Sequence, residues 1–429
     1  MERILTNKLE NKMNEDVLIK GWIHRIKVMK NISFLILRDR EGLVQCVVDK
    51  DVEWIKHVRL ESIVSVMGVV KEGKNKYKNL EVEVKEIELV NEAVEELPIE
   101  INKDKLDISL DTMLNNRMLS LRHESKKEII RIGNLILKSF RDFLIEQGFT
   151  EIITPKIVCE GAEGGTEVFK VDYFGKKAYL AQSPQFYKQM MVISGFERVF
   201  EIGTFFRAEE HDTKRHLNQF VSLDLEMAFI EDENDLMNLE EKMLNYIFDV
   251  LGKEAVKGFE ALGLETPKIE TRFPRLDMEE VKDILKRKYN KELLEKDLDT
   301  EAEKLLGRYI KEKYKSDFVF VTNYGKKKRP MYTMPKGESG THSFDLIYKG
   351  TEITSGAQRI HDYNMLLQSF KEKNLDASSF ESYINSFKYG VPPHGGLAIG
   401  FERLVAQILD LDNVREVTLF TRDKNRMIP

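Results

Sequence analysis

The densest run of chemistry-capable side chains is Phe206, Arg207, Ala208, Glu209, Glu210, His211, Asp212, Thr213, Lys214, Arg215 and His216, a charged loop between two apolar segments. Its cations could hold an anion. A hairpin loop is also often charged for solubility alone, and short motifs give false positives. A second, distant segment shifts that balance: in Gly395, Gly396, Leu397, Ala398, Ile399, Gly400, Phe401, Glu402, Arg403 and Leu404, a glycine-rich approach puts an arginine on the first turn of an apolar helix. Neither segment is a Walker loop or a dinucleotide fingerprint, so a nucleotide bound here is held in another way. A third cluster runs from Phe344 to Ser355, two strands around a Lys349-Gly350 turn, in which Asp345 and Glu352 are expected to face each other across the pair. Oxygen ligands this few suit magnesium, which keeps waters and takes its remaining ligands from phosphates. Acidic residues on an exposed hairpin are the bland alternative.

Several elements must position these groups. Ile129, Ile132, Ile136, Phe140, Phe143 and Leu144 recur at helical spacing over Lys126–Gln147, closing at Gly148. Glu151 to Thr154 then reads as a short strand stopped by Pro155. Further strands are expected over Val199–Ile202, Val221–Met227, Phe318–Thr322, Phe344–Tyr348 and Glu352–Thr354. Strand pieces joined by local turns favour an antiparallel sheet over a doubly wound one. Residues 231–329 are charged and mostly helical, and read as an insertion on that sheet.

The first ninety residues read differently, as five strands: Val17–Ile26, Ser33–Arg38, Leu43–Val48, Ile63–Val70 and Leu80–Val90, with a helix over Val52–Leu60 between the third and fourth. That order is an OB-fold, a small barrel that commonly binds oligonucleotides. The acidic stretch Asn91–Glu100, with Pro98, reads as a linker. The chain is thus α+β: an OB-fold barrel over 1–92, a hinge over 93–120, and a domain over 121–429 built on an antiparallel sheet flanked by helices.

Composition narrows the setting. At 429 residues, 42% hydrophobic and 33% charged, the chain can bury a large core. Two cysteines, Cys46 and Cys159, are too few for a disulfide framework or a zinc site, which fits a reducing cytoplasm. No apolar stretch approaches the roughly 20 residues needed to span a bilayer, so neither secretion nor membrane insertion is expected. A formal charge of −6 argues against nonspecific coating of nucleic acid, and leaves room for one RNA held on a local basic surface.

Three segments, taken in order along the chain, resemble the three motifs of class II aminoacyl-tRNA synthetases. The first is the long helix with the strand ending at Pro155, the second the strands and loop around Arg207, the third the segment ending at Arg403. With the OB-fold ahead of them, the resemblance covers nearly the whole chain and points to the aspartyl, asparaginyl and lysyl subgroup, in the manner of archaeal-type aspartyl enzymes. It implies that ATP activates L-aspartate and that the product is passed to tRNA, with no protein nucleophile. Arg207 would hold the α-phosphate and the substrate carboxylate, and Arg403 the γ-phosphate over the adenine. Arg215 and His216 would meet the outer phosphates. Ala208, Glu209, Leu217, Gly400, Phe401 and Glu402 would line the ATP site. Phe220 would stack on adenine, or pack in the core as strand aromatics usually do. Glu352 and Ser355 would bind magnesium, assisted by Asp345.

For the amino acid, the resemblance puts Lys188 and Arg359 on the aspartate side-chain carboxylate, and Glu163 and Gln185 near its ammonium. Ser355 completes that set. Lys188 could instead be a solvated helix lysine. On the barrel, Phe34 could stack an anticodon base, Gln45 could hydrogen-bond one, and Arg25 could add a contact. Archaeal-type enzymes restricted to aspartate tRNA tend to carry a tryptophan where this chain has His24 and a lysine near Tyr77. The expectation is therefore a non-discriminating enzyme that charges tRNA(Asp) and tRNA(Asn), followed by an amidotransferase. A plain surface role for His24 is the alternative. Homodimerisation is implied by the first motif. Thr421, for a common proline, and Phe401, for a small residue, depart from the pattern. An asparaginyl or lysyl enzyme and a non-catalytic RNA-binding paralogue are the competing readings; Lys188 with Arg359 argues against the first two, and the presence of Arg207, Glu352 and Arg403 against the last.

Overall fold

The computed structural model describes the chain except residues 31, 50–51, 162–166, 269–271 and 294–295. Two compact units are present, Met1–His123 and Glu124–Pro429.

In the first unit, β1 (Asp16–Val28), β2 (Ser33–Arg38), β3 (Leu43–Val48), β4 (Ile63–Glu72) and β5 (Leu80–Asn91) close into a barrel of order β1-β2-β3-β5-β4. Closure comes from the parallel pairing of β3 with β5, Gln45 opposite Glu81. Alternating residues such as Val17, Ile19, Val64, Val66 and Val82 fill the interior, as a period of two requires. The helix expected over Val52–Leu60 is only a 3-10 turn, Glu53–Lys56, because Val52 supplies no side-chain cap. Its Ile55 is buried among the barrel's apolar residues. The stretch read as a linker does not stay clear of the barrel: Ile99 and Ile101 are buried, and Asn102 Nδ2 donates to the carbonyl of His24.

In the second unit the long helix spans Glu124–Glu146, and all six residues expected on its apolar face are buried. It packs against the helices Glu233–Glu254 and Val256–Leu262. The strands follow as β6 (Thr150–Glu151), a small sheet of β7 (Ile157–Val158), β8 (Lys170–Tyr173) and β9 (Lys176–Leu180), then β10 (Arg198–Phe206), β11 (Gln219–Ala228), β12 (Arg275–Asp277), β13 (Phe318–Thr322), the hairpin β14 (Pro335–Lys336) and β15 (Gly340–Thr341), and finally β16 (Ser343–Tyr348), β17 (Thr351–Gln358) and β18 (His394–Gly400). The main sheet has the order β12-β13-β16-β17-β18-β11-β10-β6. Its central six strands are antiparallel, as expected, but both outermost strands pair in parallel. A parallel pair needs a long crossover, and the helices Met278–Tyr289 and Thr300–Tyr314 provide one between β12 and β13. Residues 231–329 therefore contribute two strands of the main sheet as well as helices; the run Phe318–Thr322 is aromatic and β-branched throughout, which suits a buried strand.

One register differs from expectation. Asp345 lies opposite Ser355, and Glu352 opposite Ile347, because a bulge between Leu346 and Ile347 shifts the pairing of β16 with β17.

Behind this hairpin, helix Glu233–Glu254 sets Glu240 against the sheet. Glu240 is buried, accepts a hydrogen bond from Thr354 Oγ1 at 2.5 Å, and has an Oε2 without a partner. Burial pushes its carboxyl up to about 8, with the charge of Asp345 acting in the same direction. A raised folded-state value means stability is fully present below about 4.5, where the unfolded chain is also protonated, and is lost as pH rises to about 8. Glu240→Gln removes that loss. In thermal melts between pH 5 and pH 8.5, the variant's Tm should gain on the wild type by a few degrees toward the alkaline end. A constant difference would contradict a protonated Glu240.

Candidate active site

The β10–β11 hairpin carries the charged loop. Phe206 pairs with Gln219 at its mouth, and Asn218 clamps it, its Nδ2 donating to the carbonyls of Arg207 (2.7 Å) and Glu209 (2.9 Å). Arg207 is thereby held with its guanidinium 5.4 Å from the Phe220 ring. Its nearest carboxylate, Glu209, is 3.8 Å away, and its buried Nε has no partner. Such a donor is ready for an incoming anion.

A cavity of about 140 Å³ opens here, lined among others by Arg207, Glu209, Arg215, His216, Leu217, Phe220, Gly400, Glu402 and Arg403. Arg215 Nη1 bridges both oxygens of Glu303, at 3.0 and 2.8 Å. Arg403 Nη1 donates to the Glu352 carbonyl at 3.3 Å and lies 3.7 Å from its carboxylate. Burial, and then the neighbouring Arg403, bring His216 down to about 4, so it is a neutral imidazole at pH 7. Phe220 lines the cavity and is only half-buried, a position suited to stacking.

Three residues expected in this set are used otherwise. Glu402 faces the cavity, but its carboxylate accepts the Val221 N–H at 2.9 and 3.2 Å. Phe401 is buried against the long helix, where a Cβ on Gly133 would stand 3.2 Å from its ring. Ala208 offers a backbone N–H, already donated to the Glu167 carbonyl at 2.9 Å.

The acidic hairpin forms the next wall. Glu352 takes a backbone tie to Glu303 at 3.0 Å, and its carboxyl is pushed up to about 7 by burial and then by Asp345. Asp345 Oδ1 is buried without a hydrogen-bond partner. Two repelling carboxylates beside an uncovered oxygen and the Ser355 hydroxyl fit a hard divalent cation such as magnesium. Among the described residues no group of three or more His, Cys, Asp or Glu gathers in a way that could hold a metal ion by itself.

Deeper in the same cleft, a cavity of about 280 Å³ is lined by Gln185, Lys188, Arg207, Phe220, Asp224, Arg329, Tyr332, Glu352, Ser355 and Arg359, among others. Lys188 is 2% exposed, which rules out the solvated-lysine alternative. Its Nζ donates to Asp224 Oδ1 at 2.9 Å and to the carbonyls of Leu225 and Leu397, both at 3.3 Å. Arg359 Nε donates to Glu226 Oε1 at 2.9 Å, and its Nη2 to the Gly396 carbonyl at 3.0 Å and to Gln185 Oε1 at 3.3 Å. Gly396 has to be glycine, since a Cβ there would sit 2.1 Å from Glu226 Oε2 and 2.2 Å from the Leu225 carbonyl. The glycine-rich approach to Arg403 thus makes room for the buried ion pairs beside it.

Asp224, Glu226, Arg329 and Glu303 escaped the sequence reading. For the first two a signal existed: acids at i and i+2 within the apolar strand Val221–Met227 must share one face, and no free water is available to a central strand. Arg329 ends a lysine run that looks solvated, and Glu303 sits on an ordinary charged helix.

Glu163 lies outside the described residues. On the barrel, His24 is buried, its Nδ1 3.2 Å from Arg38 Nη1, and burial followed by Arg38 lowers it to about 4. It is therefore no surface residue. Arg25 is not free for a ligand either, with Nε donating to the Asn102 carbonyl at 2.9 Å. Gln45 Nε2 donates to Glu81 at 2.8 Å. Phe34 and Tyr77 are half-buried, and Lys76 lies over the Tyr77 ring at 5.2 Å.

Known proteins resemble this chain over its whole length. Residues 109–424 match the model of class II tRNA synthetases (D, K and N), and residues 17–90 that of the OB-fold nucleic acid binding domain. The aspartate-tRNA(Asp/Asn) ligase of Thermus thermophilus is 45% identical over 427 residues, spanning 100% of both chains. The aspartate-tRNA(Asp) ligase of Thermoplasma acidophilum is 42% identical over 418 residues, 96% of each. Among solved structures, the asparaginyl-tRNA synthetase of Pyrococcus horikoshii complexed with asparaginyl-adenylate superimposes with a TM-score of 0.92 at 31% identity, covering 100% of both chains. The chain therefore belongs to the class II tRNA synthetases of the aspartate, lysine and asparagine group. It is an ATP-dependent aminoacyl-tRNA ligase.

Arg207→Ala should lower ATP–pyrophosphate exchange by at least roughly 10²-fold, the order lost when one charge-stabilising donor is removed. A rate near the wild type's would place the reacting phosphate elsewhere.

Proposed function

We propose that this chain activates L-aspartate with magnesium and ATP and esterifies both tRNA(Asp) and tRNA(Asn). The observation that carries the reading is the convergence of Arg207, Glu352, Lys188 and Arg359 on one cleft. In the first step an oxygen of the aspartate α-carboxylate attacks the α-phosphorus of ATP, and the bond to pyrophosphate breaks. In the second, a hydroxyl of the terminal tRNA ribose attacks the acyl carbon, and AMP leaves. Arg207 serves the first step by binding the α-phosphate and the attacking carboxylate together, which supplies both alignment and charge. Arg215, His216 and Arg403 take the outer phosphates, and Phe220 the adenine. Glu352, Asp345 and Ser355 would hold the magnesium, whose positive charge offsets that of the phosphate oxygens.

Aspartate is favoured over asparagine by the two buried cations. Arg359 Nη1 makes no hydrogen bond among the described residues, so one cationic donor is available for a side-chain carboxylate. An asparagine amide would turn a donor toward the same group, and buried polar groups left unpaired can discriminate by roughly 10⁴. The asparaginyl structure of P. horikoshii shares the fold, which is why side-chain charge rather than architecture has to decide. Exchange assays with aspartate and asparagine as separate substrates test this. Aspartate should exceed asparagine by at least about 10³-fold, and comparable rates would overturn the assignment.

For the tRNA, the relatives divide, one named for tRNA(Asp/Asn) and another for tRNA(Asp). His24 in place of tryptophan supports the broader specificity. It is buried with its Nδ1 3.2 Å from Arg38 Nη1, so no bulky ring stands at that strand position to exclude one anticodon base. In a cytoplasm with a tRNA-dependent amidotransferase, the misacylated product would be converted onward. Purified transcripts of both tRNAs should be charged at rates within about tenfold, and a failure to charge tRNA(Asn) would restrict the enzyme to aspartate tRNA.

A homodimer is also part of the reading. Next to Pro155, Ile153 is 95% exposed beside the sheet-edge strand β6, and Phe196 (49%) and Phe229 (69%) are exposed as well. Large exposed apolar residues invite a partner, the more so beside an edge strand as at Ile153. Light scattering should give twice the 50.0 kDa chain mass, and Ile153→Asp should shift it toward the monomer. A monomeric wild type would refute the dimer.

A further inference from the structure

Lys326, Lys327, Lys328 and Arg329 form a basic run ahead of Pro330, the kind of run that normally stays in water. The last of them turns inward. Its side chain is 13% exposed; Nη1 donates to Ser355 Oγ at 2.8 Å and Nη2 to Asp345 Oδ2 at 2.7 Å. The guanidinium also lies 4.0 Å from the centroid of the Tyr324 ring, and its Nε is buried without a partner. One rigid fork thus bridges two of the three groups that would hold a metal. It does not engage Asp345 Oδ1, which has no hydrogen-bond partner, or the Glu352 carboxylate, which lies 3.7 Å from Arg403.

The charges decide what this arrangement accepts. Asp345 and Glu352, when ionised, stand against the guanidinium of Arg329 on one side and that of Arg403, 3.7 Å from Glu352, on the other, leaving little net negative charge. A bare divalent ion entering there gains little and meets a fixed cation at short range, where poor screening makes the repulsion large. An ion arriving with a triphosphate brings its own anions, and Arg207, Arg215 and Arg403 already wait for those. The geometry points to Arg329 as a positioning residue that makes divalent-metal loading depend on the nucleotide: it keeps the acidic pair from trapping a free ion and reserves Glu352 and Asp345 Oδ1 for one delivered with phosphates. This rests on reading Asp345, Glu352 and Ser355 as the metal end of the ATP site.

The test is Mn²⁺ binding to the full chain at pH 8, followed by electron paramagnetic resonance, with and without a non-hydrolysable ATP analogue. Wild type should bind Mn²⁺ at least about tenfold more tightly when the analogue is present. Arg329→Gln should bind Mn²⁺ without nucleotide roughly tenfold more tightly than wild type, while its affinity with the analogue changes less than about threefold. Arg329→Lys keeps the charge but loses the two-pronged bridge, and should stay near the wild type. A purely structural Arg329 would weaken binding in both variants, or leave it unchanged, and either result overturns the inference. So does tight nucleotide-free binding by the wild type, a readout that stands even if Arg329→Gln fails to fold. Absence of Mn²⁺ binding by the wild type in the presence of the analogue would instead remove the metal assignment itself, and this inference with it.

Discussion

Ionic groups buried in the middle of a sheet have to be paired, and that requirement organises this protein. Lys188 and Arg359 lie almost out of contact with solvent, each against an acid of β11, Asp224 and Glu226. Removing one partner of such a pair leaves an uncompensated charge, which typically destabilises by roughly 3–5 kcal/mol. A well-packed apolar set would have stabilised the sheet at least as well. The charges therefore make sense as a preorganised recognition surface, held in register by β11, β17 and β18. Backbone carbonyls of Leu225, Leu397 and Gly396 take up donors that the acids do not. Even the glycine pair ahead of Arg403 follows from this, because a side chain at Gly396 would occupy the place of Glu226.

From that centre the cleft changes sign along its length. Lys188 and Arg359 are neutralised by their acids, so the deep end offers donors of fixed direction with little net charge. Asp345 and Glu352 follow, close enough that the charge of Asp345 raises the proton affinity of Glu352. Beyond them Arg207, Arg215 and Arg403 give a cationic mouth, where Glu303 fixes Arg215 and the backbone of Glu352 together. A small zwitterion with an acidic side chain would find directed donors at the deep end, a divalent ion the acidic pair, and a polyphosphate the cationic mouth. Preorganised charge of this kind needs no reorganisation as the phosphoryl group reacts.

Much of this was legible in the amino-acid order, for reasons that differ by element. Period-two strands and the apolar stripe of Glu124–Glu146 are set by burial, and burial writes itself into composition. The loop at Arg207 and the segment at Arg403 stood out because charge and glycine are rare beside apolar strands. The partners of those residues were harder to read. Asp224 and Glu226 are ordinary letters until the strand is known to be central, and the pairing of Asp345 with Ser355 depends on a bulge that no local pattern announces. Arg329 was invisible because a lysine run normally marks solvent, and only the fold turns its last member inward.

The barrel shows the same limit from the other side. Phe34, Gln45, Arg25 and Tyr77 could meet RNA on an OB-fold face only where that face is bare. In the structure the chain after β5 returns to the barrel: Ile99 and Ile101 are buried, Asn102 exchanges hydrogen bonds with His24 and Arg25, and Asp104 lies 3.5 Å from Arg25 and 3.3 Å from Lys76. A carboxylate set between two cations has the charge arrangement of a bound phosphate. The exposed basic surface is correspondingly smaller than the sequence suggests, which lowers sequence-independent attraction for nucleic acid. On the proposed reading, selectivity would fall to the half-buried rings of Phe34 and Tyr77 and to the shape left by a buried His24, because stacking and fit, unlike phosphate neutralisation, distinguish one base from another.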